Sequence, residues 1–189
     1  MQKLQNGDWL GTGNHESISY ECGYCGNKVA SPVGWQQRYL ATGHFVGQLR
    51  ICPQCHGPTV FYSNVQVPGV SYGSPVKHLP PEIAQLYEEA RAASSANAPT
   101  AIVMCCRKIL MHVAVDKGAK EGATFQDYVT YLDEKHYIPA GASVWVDKIR
   151  DWGNEANHEI KLKTGPDATK AVDFTEMLLK VVYEYPGEA

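Results

Sequence analysis

Two short stretches, CGYCG at 22–26 and CPQCHG at 52–57, decide the fold of the N-terminal part of this 189-residue chain. Each contains a Cys-x-x-Cys pair followed closely by glycine, and 26 residues separate the two pairs. β-rich pieces surround them at 17–25, 44–55 and 58–67, with Gly, Pro and Asn in between. We therefore expect each pair at the turn of a β-hairpin, so that two loops bring four thiols to one point.

Four thiolates arranged in this way form a tetrahedral site for one Zn²⁺ per chain, with Cys22, Cys25, Cys52 and Cys55 as the ligands. The alternative is a redox or disulfide role for each pair. The first 13 residues lack the apolar segment of a signal peptide, so we expect a cytoplasmic protein, in which such pairs favour metal. Since four thiolates leave no open position, the predicted zinc is structural.

The remaining histidines and cysteines, and three aromatic residues of the N-terminal part, are not predicted to bind the metal. His15, His44 and His56 are substitute ligands by type, but the four cysteines already complete the shell, and His56 is interpreted as a neighbouring or surface residue. Cys105 and Cys106 belong to an apolar helical run and are predicted to be core residues. Three aromatic residues are interpreted as a small core around the metal, with a stacking surface as the alternative: Trp35, Tyr39 and Phe45.

Beyond a proline-punctuated connector at 68–81, the sequence has helical periodicity. Helices are predicted from Pro81, from Pro99 or Thr100 to about Gly118, from an N-cap at Thr124, over 141–161, and from Thr164 to Pro186. The fold class is therefore α+β. A small β zinc ribbon with its connector occupies residues 1–79, and a mostly α bundle of about five helices occupies residues 80–189.

Composition limits the function classes. The chain is 44% hydrophobic with a net charge of −3, which argues against a broad nucleic-acid-coating surface. No apolar run approaches the roughly 18 residues of a membrane span, so no membrane association is expected.

The stretch IRDWGNEANHE, at 149–159, places Arg150, Asn154 and His158 along one side of the predicted fourth helix. Trp145 and Ile149 fall on the opposite side, which is expected to pack into the bundle. The polar side is either a solvated face or a site for phosphate chemistry, in which arginine supplies charge and histidine transfers protons. Arg107, within the apolar second helix, needs a partner, a bound anion or a path for its side chain to solvent.

The order of these features resembles a bacterial family of unknown function, DUF4145, which is itself similar to the HEPN superfamily. The resemblance covers nearly the whole chain, and its most specific pieces are LYEEA at 86–90, Arg107 and the residues from Ile149 to His158. HEPN domains are helical bundles that usually dimerise, and many are metal-independent endoribonucleases in toxin–antitoxin and antiphage systems. Their motif is an arginine, commonly followed by asparagine, and then x-x-x-His.

The resemblance implies a cytoplasmic homodimer formed through the helical bundle, with RNA or a partner protein as the ligand. If the chain is an endoribonuclease, His158 acts as acid or base, Asn154 orients the phosphate, and Arg150 and Arg107 stabilise the charge that develops on it. Gly153, however, stands where the family motif has arginine. That departure favours the other prediction, a zinc-binding HEPN-like protein that binds nucleic acid or a partner in antiphage defence.

Overall fold

A computed structural model describes residues 8–39, 41–139, 145 and 162–188. The chain divides into two compact units, Met1–Ser71 and Tyr72–Ala189. The division falls within the proline-punctuated connector. The fold class is α+β, because all the described strands belong to the first unit and all the described helices to the second.

The first unit is a single antiparallel sheet of five strands in chain order. The strands are β1 (Gly13–Glu21), β2 (Lys28–Arg38), β3 (Phe45–Ile51), β4 (Pro58–Tyr62) and β5 (Val65–Val67). The predicted β-rich pieces correspond to β1, β3, β4 and β5, whereas β2 was not singled out from the sequence. The reason is local, because Pro32 and Gly34 interrupt the alternation in β2, and its two buried residues, Ser31 and Gly34, are three positions apart.

Arg50 is the largest fully buried side chain of the sheet. It lies opposite Gly34 on β2 and Thr59 on β4. Its guanidinium donates hydrogen bonds to the backbone carbonyls of Glu16 at 3.3 Å and Trp35 at 3.5 Å. Burial lowers the pKa of Arg50, although an arginine remains charged in a protein. Carbonyl dipoles from β1 and β2 therefore solvate this charge, and the side chain fills core volume.

The second unit contains helices α1 (Pro81–Ser95), α2 (Pro99–Asp116), α3 (Phe125–Glu134) and α4 (Gly165–Leu179). A π-helical turn (Lys180–Glu184) and a short α5 (Tyr185–Glu188) extend α4. Thr124 and Thr164 cap α3 and α4 in reciprocal capping boxes with Asp127 and Asp167, which confirms both predicted starts. None of the described helices combines the length and the apolar character that a membrane span requires.

The predicted five-helix count is wrong for the part of the chain that the structure describes, which contains four long helices. The predicted fourth helix, 141–161, lies outside the described residues except for Trp145. Trp145 is helical and half-buried, and its ring stacks on Phe174 with 6.4 Å between centroids, so it packs inward as predicted.

Helices α1 to α4 share one hydrophobic core, whose fully buried members include Ile83, Ile102, Val103, Ile109, Leu110, Val129, Leu132, Val172, Leu178 and Leu179. The connector is fixed to this unit by hydrogen bonds to its helices. The Tyr72 amide donates to Ser94 Oγ at 2.8 Å, the Ser74 amide donates to Glu176 Oε2 at 2.7 Å, and the Tyr87 hydroxyl donates to the Ser74 carbonyl at 3.0 Å. Residues 72–79 thus form part of the helical unit.

The packing role of Arg50 is testable. We expect Arg50→Ala to lower the free energy of unfolding by about 3 kcal/mol, because it leaves a large cavity and removes the guanidinium hydrogen bonds to the carbonyls of Glu16, Trp35 and Leu49. Arg50→Met, which keeps most of the volume, should cost about half as much. Urea unfolding of the zinc-loaded protein measures both values, and equal losses in the two variants would show that the hydrogen bonds, not the volume, are what matters.

Candidate metal centre

The four predicted ligands come together at one end of the sheet. Cys22 and Cys25 lie in the turn between β1 and β2, and Cys52 and Cys55 lie in the turn between β3 and β4. All four Sγ atoms lie within 4.8 Å of one another. The distance from Cys22 Sγ to Cys55 Sγ is 3.7 Å, and from Cys25 Sγ to Cys52 Sγ it is 3.9 Å. The predicted convergence of the two hairpin turns is therefore confirmed.

These distances fit a tetrahedral zinc ion and exclude disulfides. With Zn–S bonds of about 2.3 Å, the sulfurs of a regular tetrahedron are about 3.8 Å apart. A disulfide would place two sulfurs about 2.05 Å apart, and all four cysteines are free. Among the described residues, this is the one group of histidine, cysteine and acidic side chains with metal-ligand geometry. The four cysteines can hold one metal ion, and their chemistry and spacing are compatible with a zinc ribbon.

The two turns have the same backbone conformation, and we call them the first knuckle (residues 22–27) and the second knuckle (residues 52–57). In each, the amide of the first cysteine donates to a carbonyl five residues later, at 3.0 Å. The amide four residues after that cysteine donates back to its carbonyl, at 2.8 Å in the first knuckle and 2.9 Å in the second. The residue that makes this second bond is Gly26 in one knuckle and His56 in the other.

Gly26 and His56 occupy the left-handed region of backbone conformation, with φ of 70° and 59°. Glycine adopts this conformation without steric cost, whereas a residue with a Cβ atom is strained there. His56 is exposed, and the sulfur cluster does not include it. The backbone conformation of the knuckle therefore places His56 beside the cysteines, and its side chain is not a fifth member of the cluster.

Burial and hydrogen bonds act in opposite directions on the pKa values of the cysteine thiols. Burial raises the pKa of Cys22 and Cys55, but backbone amides of the knuckles point at both sulfurs and act in the opposite direction. At Cys25, burial raises the pKa, but hydrogen bonds from the amide and side chain of Asn27, together with those from the Cys55 and Cys22 thiols, lower it to about 7. The Asn27 side-chain nitrogen lies 3.4 Å from Cys25 Sγ. A bound dication favours the thiolate form of all four ligands.

The knuckles also pack on each other and on the sheet. A Cβ atom at Gly57, in the second knuckle, would lie only 2.5 Å from the ring of Tyr24 in the first, so the two turns are in close contact. Beneath them, the rings of Tyr20 and Phe61 meet edge to face at 5.1 Å. Burial and the nearby thiols raise the pKa of Tyr20 to about 12. Among the described residues, the hydrophobic cluster at the four cysteines has three buried members: Tyr20, Cys22 and Cys52.

Sequence reasoning missed the contribution of Trp9. Its indole nitrogen donates to the His56 carbonyl at 2.9 Å, and its ring meets Trp35 edge to face at 6.0 Å. Trp9 thus ties the N-terminal segment to the second knuckle. A tryptophan 47 residues away in sequence gives no local signal of this contact.

The interpretation of Tyr39 and Phe45 as core residues around the metal is wrong. Tyr39 is 61% exposed and Phe45 is 42% exposed, at the hairpin between β2 and β3, and Trp35 is half-buried beside Trp9. The cysteines end the strands at the opposite end of the sheet from this hairpin, so aromatic residues at its tip cannot reach the metal. Of the two cysteines predicted for the helical core, Cys106 is fully buried and Cys105 is half-buried against that core.

Of the candidate site residues predicted in the helical part, the structure describes Arg107. Arg107 is half-buried on α2, and its guanidinium carbon lies 4.8 Å from the centroid of the Phe125 ring. This cation–π contact accounts for an arginine in an otherwise apolar helix. Arg150, Asn154 and His158 lie outside the described residues.

A family model for a domain of unknown function matches residues 88–189, which is more than half of the chain. The chain belongs to the DUF4145 family. The match covers most of the helical unit of this DUF4145 protein and begins after the metal centre. Comparison with curated proteins and with solved structures gave no match to the chain.

Removal of one sulfur tests the metal centre. We expect Cys55→Ser to reduce bound zinc from one per chain to nearly none and to unfold the sheet, because metal binding and folding are coupled in such small units. The helices should persist, since their core contains no zinc ligand. Cys105→Ser is the matched control, and it should keep its zinc. Metal analysis and circular dichroism make the measurements. Full zinc in Cys55→Ser would contradict the four-cysteine site.

A substitution at His56, the strained residue of the second knuckle, is expected to stabilise the protein. We expect His56→Gly to raise the free energy of unfolding by up to about 1 kcal/mol, because glycine relieves the left-handed conformation at some cost in unfolded-state entropy. Zinc content should stay at one per chain. Urea unfolding and metal analysis of the same sample test this, and loss of zinc would instead identify His56 as a ligand.

Proposed function

We propose that this DUF4145 protein is a zinc-stabilised, HEPN-like recognition protein that binds nucleic acid or a partner protein, with a role in antiphage defence. The observation that carries the proposal is the closed set of four thiolates around one point. Such a shell leaves no position for water or substrate, so the metal organises the sheet and performs no chemistry. We therefore expect a ligand to bind on the surface of the sheet.

The hairpin tip between β2 and β3 supports nucleic acid as one ligand. Tyr39 and Phe45 are exposed there, Tyr39 stacks on His44 with 6.4 Å between ring centroids, and Arg38 lies 5.9 Å from the Phe45 ring centroid. Exposed aromatic rings beside a cation are the elements that bind single-stranded nucleic acid, because any base can stack and the cation meets the phosphate. The tip is small, which fits a ligand of one or two nucleotides on each copy.

The alternative is a metal-independent endoribonuclease that uses Arg150, Asn154, His158 and Arg107. Its support is the family resemblance together with the half-buried guanidinium of Arg107, which is held against Phe125. In this proposal a cytoplasmic homodimer forms through the helical bundle and brings two histidines to one RNA strand. Gly153, in the position of the family arginine, is the reason why binding is the preferred proposal.

Tyr39 provides the test of nucleic-acid recognition. We expect Tyr39→Ala to weaken binding of a short single-stranded RNA about tenfold, because one base loses its stacking partner. Tyr185→Ala is the matched control, since Tyr185 is 59% exposed in the helical unit and Tyr39 is 61% exposed in the sheet. Fluorescence anisotropy with the zinc-loaded full chain gives both affinities. Equal affinities in wild type and Tyr39→Ala would rule out the tip as the RNA site.

The same RNA, incubated with chelator and with a His158→Ala variant, separates binding from cleavage. The recognition proposal expects the RNA to remain intact with both proteins. Cleavage by the wild type that resists chelator and disappears in His158→Ala would establish the endoribonuclease instead.

A further inference from the structure

One face of the sheet presents a row of apolar side chains across four strands. Trp35 on β2 lies opposite Leu49 on β3, Leu49 lies opposite Val60 on β4, and Val60 lies opposite Val67 on β5. Directly paired residues project from the same side of a sheet. These four residues, with Tyr62 and Val65 of the next row, are called the apolar sheet face.

The second row keeps this face flat. It runs from Gln37 to Gly47, Tyr62 and Val65 in the same register. A Cβ atom at Gly47 would lie 3.3 Å from Tyr62 Cδ2 and 2.9 Å from the Phe61 carbonyl, so the tyrosine ring lies close over the bare backbone of β3. A larger residue at 47 would displace the ring from the sheet.

Four of the six side chains of the apolar sheet face are exposed, whereas Trp35 and Leu49 are half-buried. The exposed fractions are 41% for Val60, 57% for Tyr62, 51% for Val65 and 53% for Val67. The side chains that form the small cluster at the metal, such as Phe61, alternate with these along the strands and project from the other side. An antiparallel sheet with one packed face normally carries polar residues on its solvent side, so an apolar one indicates a contact.

The absence of charged side chains indicates which kind of partner can bind the apolar sheet face. Neither row contains a charged side chain, so the face has nothing to neutralise phosphates, and a nucleic acid is a poor ligand for it. A charged peptide would lose its hydration without gaining an ion pair. An uncharged, flat, apolar surface suits this face, and the face itself is such a surface. Two copies can meet without repulsion between like charges.

The exposed area of the apolar sheet face is large enough for a weak dimer interface. Together with Trp9, whose ring contacts Trp35, its side chains expose on the order of 500 Å² of surface. A pair of copies would bury about 1,000 Å², near the lower limit for a specific interface. Exchange between monomer and dimer at micromolar concentration is the expected behaviour.

We infer that the apolar sheet face is a self-association surface, through which two copies of this chain pack sheet against sheet. Face-to-face sheets lie about 10 Å apart with strand directions about 30° from each other, and a twofold axis makes the two patches identical. This contact lies in the first unit, so it is distinct from a dimer through the helical bundle. It also does not depend on whether the hairpin tip binds RNA.

Sedimentation velocity of the zinc-loaded full chain tests this interface. The wild type should shift from one to two copies as its concentration rises from about 1 to 100 µM, in line with the small interface area. Val60→Lys should weaken association at least tenfold, because two lysines then meet at the centre of the interface. Met104→Lys, at a residue that is 51% exposed on α2, is the matched control and should associate like the wild type.

A charge-swap experiment separates a true contact from a folding defect. Val60→Lys and Val60→Glu should each be monomeric with one zinc per chain, and an equal mixture of the two should recover the dimer, since opposite charges then face each other. A wild type that stays monomeric, a dimer that survives Val60→Lys, or a mixture that fails to associate would each overturn the inference. A monomeric wild type that loses RNA affinity in Val60→Lys would identify the face as a nucleic-acid surface instead.

Discussion

The convergence of four cysteine sulfurs on one point is the constraint that organises the N-terminal unit. In the described part of this unit, the hydrophobic cluster has three buried members, and two of them are the candidate ligands Cys22 and Cys52. So small a core provides little free energy against the entropy of ordering a five-stranded sheet. A metal ion held by the four sulfurs would supply what the core lacks, because its binding site is complete only when both knuckles are formed. The antiparallel order of the strands places both knuckles at the same end of the sheet.

The same constraint explains why the sheet has two unlike faces. One face carries the Tyr20–Phe61 contact and the buried Arg50, whose charge is solvated by carbonyl groups of neighbouring strands. The small cluster of buried residues at the cysteine site forms on this side of the sheet. The other face contributes no side chain to this cluster, and its aliphatic and aromatic side chains remain in contact with water. A unit stabilised by metal can keep an apolar surface for a partner, because it does not need that surface for its own core.

The helical unit is stabilised in a different way. Capping boxes begin α3 and α4, three backbone amides of the connector donate to side chains of the helices and the π-helical turn, and one continuous core joins all four helices. Arg107 belongs to this framework through its contact with Phe125. Membership of the DUF4145 family rests on this part of the chain. The protein thus combines a helical unit that has a large hydrophobic core with a sheet whose own core is small and whose four cysteines can hold a metal ion.

Much of this was available from local patterns. Cysteine spacing predicted the four candidate ligands, and apolar periodicity with proline or threonine at the helix starts predicted α1 to α4, because these signals act over a few residues along one chain segment. The exposed hairpin aromatics, the Trp9 contact with the second knuckle and the composition of the apolar sheet face were not predictable in this way. In β2 the buried residues Ser31 and Gly34 are three apart, so no alternating pattern reveals that Trp35 shares a face with Leu49. The sequence by itself determined which sulfurs bind and which segments are helical. The tertiary structure alone decided which side of each strand meets water, because the pairing register between strands and the irregularities within them set that orientation.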